Sequence, residues 1–149
     1  MIRVLLAVLA LTTTQSWAVA QVCGRPLPDH RIARGDKNIS EAWLADATAR
    51  YRHFVLGSDY EAATVCVRLR DGTILRLSLP DTEVFEDRQP RLADLDGDGR
   101  DEIVVVRSNV KVGAALAVVS VIAGELSLIA ETPPTGSPRT WLNPAGIAD

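Results

Sequence analysis

The sequence predicts an all-β fold built from antiparallel repeat units, and three observations lead there. The first is alternation with a period of two. In Thr64 to Arg70 (TVCVRLR), Val65, Val67 and Leu69 fall on one face and Cys66, Arg68 and Arg70 on the other, as in a half-buried strand. The second is turn chemistry between such runs, above all Asp71-Gly72, a pair that tolerates the positive φ values of a two-residue hairpin. The third is self-similarity. Leu92-Ala93-Asp94 echoes Leu44-Ala45-Asp46, and further on Ala123-Gly124-Glu125-Leu126 falls over Asp71-Gly72-Thr73-Ile74 in the same order.

Taken in order, residues 1–20 read as a Sec-type signal peptide. Arg3 supplies the positive start, Val4 to Leu11 an apolar run, and Ala18-Val19-Ala20 the small residues of a cleavage site after Ala20. Residues 21–41 form an N-terminal extended segment. The first repeat unit spans 42–90. Its opening, SEAWLADATAR (residues 40–50), has helix-forming composition with Ser40 placed to cap it, whereas the repeat alignment favours an extended segment. After the strand at 64–70 and the Asp71-Gly72 turn, Thr73 to Leu79 returns with Leu75, Leu77 and Leu79 on one face.

The second unit spans 91–141. Ile103 to Val106 is a short β-branched run. Leu116 to Ile122 (LAVVSVI) is apolar on both faces, as expected of a strand buried between layers. Ala123-Gly124-Glu125 turns the chain into Leu126 to Ala130, and Pro133, Pro134, Gly136 and Pro138 form a linker. Residues 142–149 open a third unit, because Ile147-Ala148-Asp149 repeats Leu92-Ala93-Asp94. The chain is therefore expected to be an incomplete protein.

Composition narrows the function classes. The 149 residues suffice for one domain. With 47% hydrophobic and 23% charged residues, they can build a core. A formal charge of −3 argues against a nucleic-acid binder, which would carry a basic patch. No apolar run reaches the length of a membrane span. Two histidines and two cysteines put most zinc frameworks out of reach. Export, to the periplasm or outside the cell, makes the two cysteines, Cys23 and Cys66, candidates for one disulfide. Asn38-Ile39-Ser40 fits a glycosylation sequon, which matters only in a eukaryotic secretory route. Arg34-Gly35-Asp36 matches the integrin-binding tripeptide, but an exposed glycine turn accounts for it more simply.

One loop carries the chemistry. Residues 94–102 read Asp-Leu-Asp-Gly-Asp-Gly-Arg-Asp-Glu. Counting Asp94 as position 1, carboxylates stand at positions 1, 3 and 5 (Asp94, Asp96, Asp98), glycine at 6 and Glu102 at 9. Alternating oxygens around a glycine turn are the opening of a calcium loop, and position 7, Arg100, contributes through its backbone carbonyl with its guanidinium pointing away. Five acids and two bases between Arg91 and Glu102 repel one another without a cation. Hard oxygen donors with no nearby His or Cys favour Ca2+. A helix-loop-helix hand is excluded, because the bidentate Glu it needs at position 12 is replaced by Val105 in a β-branched run. The alternative is a metal-free Asp/Gly turn.

The stretch RLADLDGDGRDEIVVV, residues 91–106, resembles the signature of FG-GAP/VCBS-type repeats. There an apolar strand ends in Ala-Asp, an acidic DGDG loop holds calcium, and a second apolar strand follows. The resemblance implies antiparallel units like β-propeller blades, here an incomplete propeller. It makes Asp94, Asp96, Asp98, the Arg100 carbonyl and Glu102 the calcium ligands, with Asp101 a solvated neighbour. The first unit carries Ala47-Thr48-Ala49-Arg50-Tyr51-Arg52 in place of the acidic tract and has lost the site. The family's Phe-Gly and Gly-Ala-Pro landmarks are missing. Its members include adhesion proteins, subunits of assemblies and some polysaccharide-acting enzymes.

No catalytic constellation is visible. There is no Gly-x-Ser-x-Gly elbow, and His30 and His53 lack partners at triad or metal spacing. The expectation is an exported calcium-binding binding or scaffold module with a protein or carbohydrate ligand, its calcium structural. The alternative is part of a carbohydrate-active enzyme, whose carboxylate pair the sequence does not single out.

Overall fold

The alternating segments become strands. In the computed structural model, which describes residues 23–48, 61–109 and 111–136, there are nine strands and no helix among the described residues. They are β1 (Ala33–Arg34), β2 (Ile39–Ala47), β3 (Ala62–Leu69), β4 (Ile74–Ser78), β5 (Glu83–Phe85), β6 (Arg91–Ala93), β7 (Glu102–Asn109), β8 (Gly113–Ile122) and β9 (Glu125–Glu131). Among the described residues no helix is long and apolar enough to cross a membrane. The extended segment expected from Ser40 onward is realised as β2 up to Ala47. The signal-peptide reading of residues 1–20, His53 and the opening of a third unit at 142–149 lie outside the described residues.

Every pairing is antiparallel, and the strands form one sheet along the path β1-β2-β3-β5-β7-β8-β9, with β4 on β3 and β6 on β7. The sheet is open. It curls until β4 lies beside β9 and β1 beside β6. Inside the curl, Ala42 and Leu44 of β2, Val65 and Val67 of β3, Ile103 and Val105 of β7, and Ala117, Val119 and Val121 of β8 share one core with Phe85 and Leu126. Leu75, Leu77 and Leu79 pack against it from one face, as their spacing predicts. Each fully buried aliphatic side chain contributes about 1.5–3 kcal/mol to that association.

β7 stands between β6 and β8, and β3 stands likewise between β2 and β4, with Trp43 opposite Cys66. The partner strands of β7 leave a gap opposite Val106. Asp87 fills it: its carboxylate accepts the Val106 amide at 3.1 Å and the Arg91 guanidinium at 2.7 Å, so no ladder amide is left unpaired there.

The outer faces of the sheet are covered differently. Behind β2 and β3, Trp43, Ala45 and Cys66 form a second small cluster covered by Cys23 and Ile32. A Cys23–Cys66 disulfide, with Cα atoms 6.1 Å apart, staples the N-terminal segment over it, and the Trp43 indole donates to the Gly24 carbonyl at 2.9 Å. Behind β8, by contrast, the expected burial on both faces is not found. Leu116 is 46% and Ile122 51% exposed. Alternation turns Ala115, Ala117, Val119 and Val121 inward, and none of the described residues crosses the other face in the way the N-terminal segment crosses β3.

Candidate metal centre

The acidic loop is placed by a short ladder. Ala93, the last residue of β6, is the antiparallel partner of Glu102, the first residue of β7. Asp94 therefore leaves the sheet where Glu102 enters it. The loop joins two neighbouring antiparallel strands, and its first and last acids meet at its mouth. Between them the chain reverses through Gly97 (φ 79°) and Gly99 (φ 87°), conformations that residues with a Cβ rarely adopt.

Within the loop the amides turn toward the acids. Gly97 N–H donates to Asp94 Oδ1 at 2.7 Å, Gly99 N–H to Asp94 Oδ2 at 3.0 Å, and Asp98 N–H to Asp96 Oδ1 at 3.0 Å. Leu95 N–H donates to Glu102 Oε2 at 2.9 Å. Asp94 Oδ1, Asp96 Oδ1 and Glu102 Oε2 each accept one of these amides, which leaves a lone pair on each. One ligand atom each from Asp94, Asp96 and Glu102 lies within 4.8 Å of the others, so this trio could hold a metal ion. Glu102 is buried, Asp94 half-buried and Asp96 exposed, a gradient that opens the cluster to solvent on one side.

Of the other expected ligands, Asp98 stands apart from that trio. Asp98 Oδ1 accepts the Arg100 amide at 2.7 Å, and Asp98 is not in the convergent group. The Arg100 guanidinium reaches away to the Val121 carbonyl of β8 at 3.1 Å, as the loop numbering predicts. Asp101 requires a correction. It is not a solvated neighbour but buried, at 6% exposure. Asn38 clasps its backbone, accepting the Asp101 amide at 2.6 Å and donating to its carbonyl at 3.5 Å.

That clasp belongs to the β1–β2 hairpin, which sequence reasoning passed over. Lys37 at its tip places Nζ 2.7 Å from Asp94 Oδ2 and 3.8 Å from Asp101 Oδ1. The ammonium, helped by the amides of Gly99 and Gly97, holds the Asp94 carboxyl below its ordinary pKa. The hydrogen bond to Asp94 in turn raises that of Lys37. The Asn38 sequon and Arg34-Gly35-Asp36 tripeptide thus have structural work, since both lie in this hairpin. Only the long-range pairing shows this; the local spacing around Lys37 carries no signal. Compared with protein-family models, with curated proteins and with solved structures, the chain matches none of them.

Proposed function

We propose that this chain is an exported calcium-binding β-repeat module that serves as a binding or scaffold element, its calcium structural. The observation that carries the reading is the convergence of Asp94, Asp96 and Glu102 within 4.8 Å at the mouth of the β6–β7 loop. Carboxylate oxygen is the donor that a hard divalent cation prefers, and calcium tolerates an irregular, partly solvated set of ligands. The resemblance of residues 91–106 to FG-GAP/VCBS repeats supports the same ion and, beyond it, blade-like units. The Cys23–Cys66 disulfide fits an oxidising, exported setting.

A structural ion here would cross-link β6 to β7 at the point where the ladder ends. Extracellular calcium modules bind with Kd on the order of 0.1–1 mM. At about 1 mM calcium and a Kd of about 0.1 mM, the gain is about 1.4 kcal/mol, a rise in Tm of a few degrees for a domain of this size. The test is a thermal melt of the full chain in chelator and in millimolar calcium, beside Asp96→Ala. Asp96 is exposed, so its loss leaves the fold standing. The wild-type protein is expected to gain Tm with calcium and the variant to gain none. An equal gain in both would place the ion elsewhere.

A further inference from the structure

The hairpin tip is fixed from two sides. A methyl group at Gly35 would lie 2.9 Å from Leu92 Cδ1 and 3.0 Å from Asp101 Oδ2, so the backbone rests directly on the acidic loop. On the other side Arg70 donates to the carbonyls of Gly35 at 3.0 Å and Lys37 at 2.8 Å, and its amide donates to the Asn38 carbonyl at 3.1 Å. With its backbone gripped by Arg70 and its neighbour Asn38 tied to Asp101, Lys37 is held next to the loop. Its ammonium takes a lone pair of Asp94 Oδ2, on a carboxylate of the trio that could hold a metal.

We propose that Lys37 is a built-in competitor of the metal: it neutralises Asp94 when no divalent ion is bound and must be displaced when one binds. The proposal rests on the calcium reading above. Two cations on one carboxylate repel each other at close range, which offsets their attraction to the acid. A lysine is suited to this exchange. Its compact ammonium sits on a flexible stem and, with its side chain 35% exposed, it can swing into water. The site is thereby tuned to weak, reversible binding, and metal entry is coupled to the β1–β2 hairpin through the same residue.

Isothermal titration of the full chain with calcium chloride tests this, using wild type, Lys37→Met and Lys37→Arg, with Asp96→Ala as a control for the site. Lys37→Met keeps most of the stem and removes the charge. It should bind calcium about tenfold more tightly, the effect of removing one nearby charge opposed to a divalent ion, while Lys37→Arg stays near wild type. Thermal melts give a second readout. In chelator Lys37→Met should melt below wild type, because Asp94 loses its counter-charge, and calcium should raise its Tm by more than that of wild type. Calcium binding by Lys37→Met alone would support the proposal in its strongest form. If wild type binds calcium and Lys37→Met binds no more tightly, the proposal is overturned and the calcium reading stands. If neither binds, both fall.

Discussion

Asp94 is held by three donors, Lys37 Nζ and the amides of Gly97 and Gly99, and its ionisation is therefore tied to folding. Its carboxyl is easier to ionise in the folded chain than in the unfolded one. The folded state then binds fewer protons, so the contribution to stability is complete above the ordinary carboxylate value of about 3.9 and drains away as pH falls through the lower folded value. In chelator, urea unfolding of wild type and Asp94→Asn should show a stability difference at pH 7 that narrows below about pH 4; a difference unchanged at pH 2.5 would contradict this. A second residue, Arg107, ties three strands. Its guanidinium binds Glu83 of β5 through Nε at 2.8 Å and Glu131 of β9 through Nη1 at 2.9 and 2.8 Å. Arg107→Met should cost about 1–2 kcal/mol in urea unfolding, since the charged hydrogen bonds are only partly screened. Arg107→Lys should recover little, lacking the fork that serves both acids. At this scale the sequence revealed the acids and concealed their partner. Asp94 to Glu102 are neighbours along the chain, whereas Lys37 is 57 residues from Asp94 and Asn38 is 63 from Asp101, a distance no local pattern spans.

Among the elements, β3, β4, β7, β8 and β9 were legible because each carries enough alternation or β-branching to be seen, and each is punctuated by a turn. β1 and β5, of two and three residues, show no period at all. They are strands because their neighbours offer hydrogen bonds, Ala33 and Arg34 to β2, Glu83 to Phe85 to β7. The apolar character of β8 was read correctly and its surroundings were not, since periodicity reports what a face is made of and not what covers it. The turn after β8 leads to a prediction. Ala123 (φ 50°) and Gly124 (φ 83°) both have positive φ, the conformation of a type I′ hairpin turn, for which Asn-Gly is the preferred pair. Alanine pays a steric cost there that asparagine largely avoids. Ala123→Asn should therefore stabilise the protein by about 0.5–1 kcal/mol in chemical denaturation, and a loss of stability would mean that the turn is held by something other than its local backbone.

For the molecule as a whole, the all-β class and the antiparallel order followed from period and turns, but the curl of the sheet depends on contacts between distant strands, β4 with β9 and β1 with β6, which have no signature in any short window. The Cys23–Cys66 bridge lay between these extremes. Two cysteines permit one pairing, and the polar face assigned to Cys66 proved to be the one the N-terminal segment covers. Reducing the bridge should lower stability by about 3–4 kcal/mol on the loop-entropy estimate, measured as the difference between oxidised protein and Cys23→Ser/Cys66→Ser. The same bond has a mechanical meaning. It is a covalent short-cut between points separated by 43 residues, and at about 3.3–3.6 Å per extended residue it withholds about 140–150 Å of chain from any pulling force. Stretched between its ends, the oxidised protein should stop short by that length, and a reductant added under tension should release it in one step.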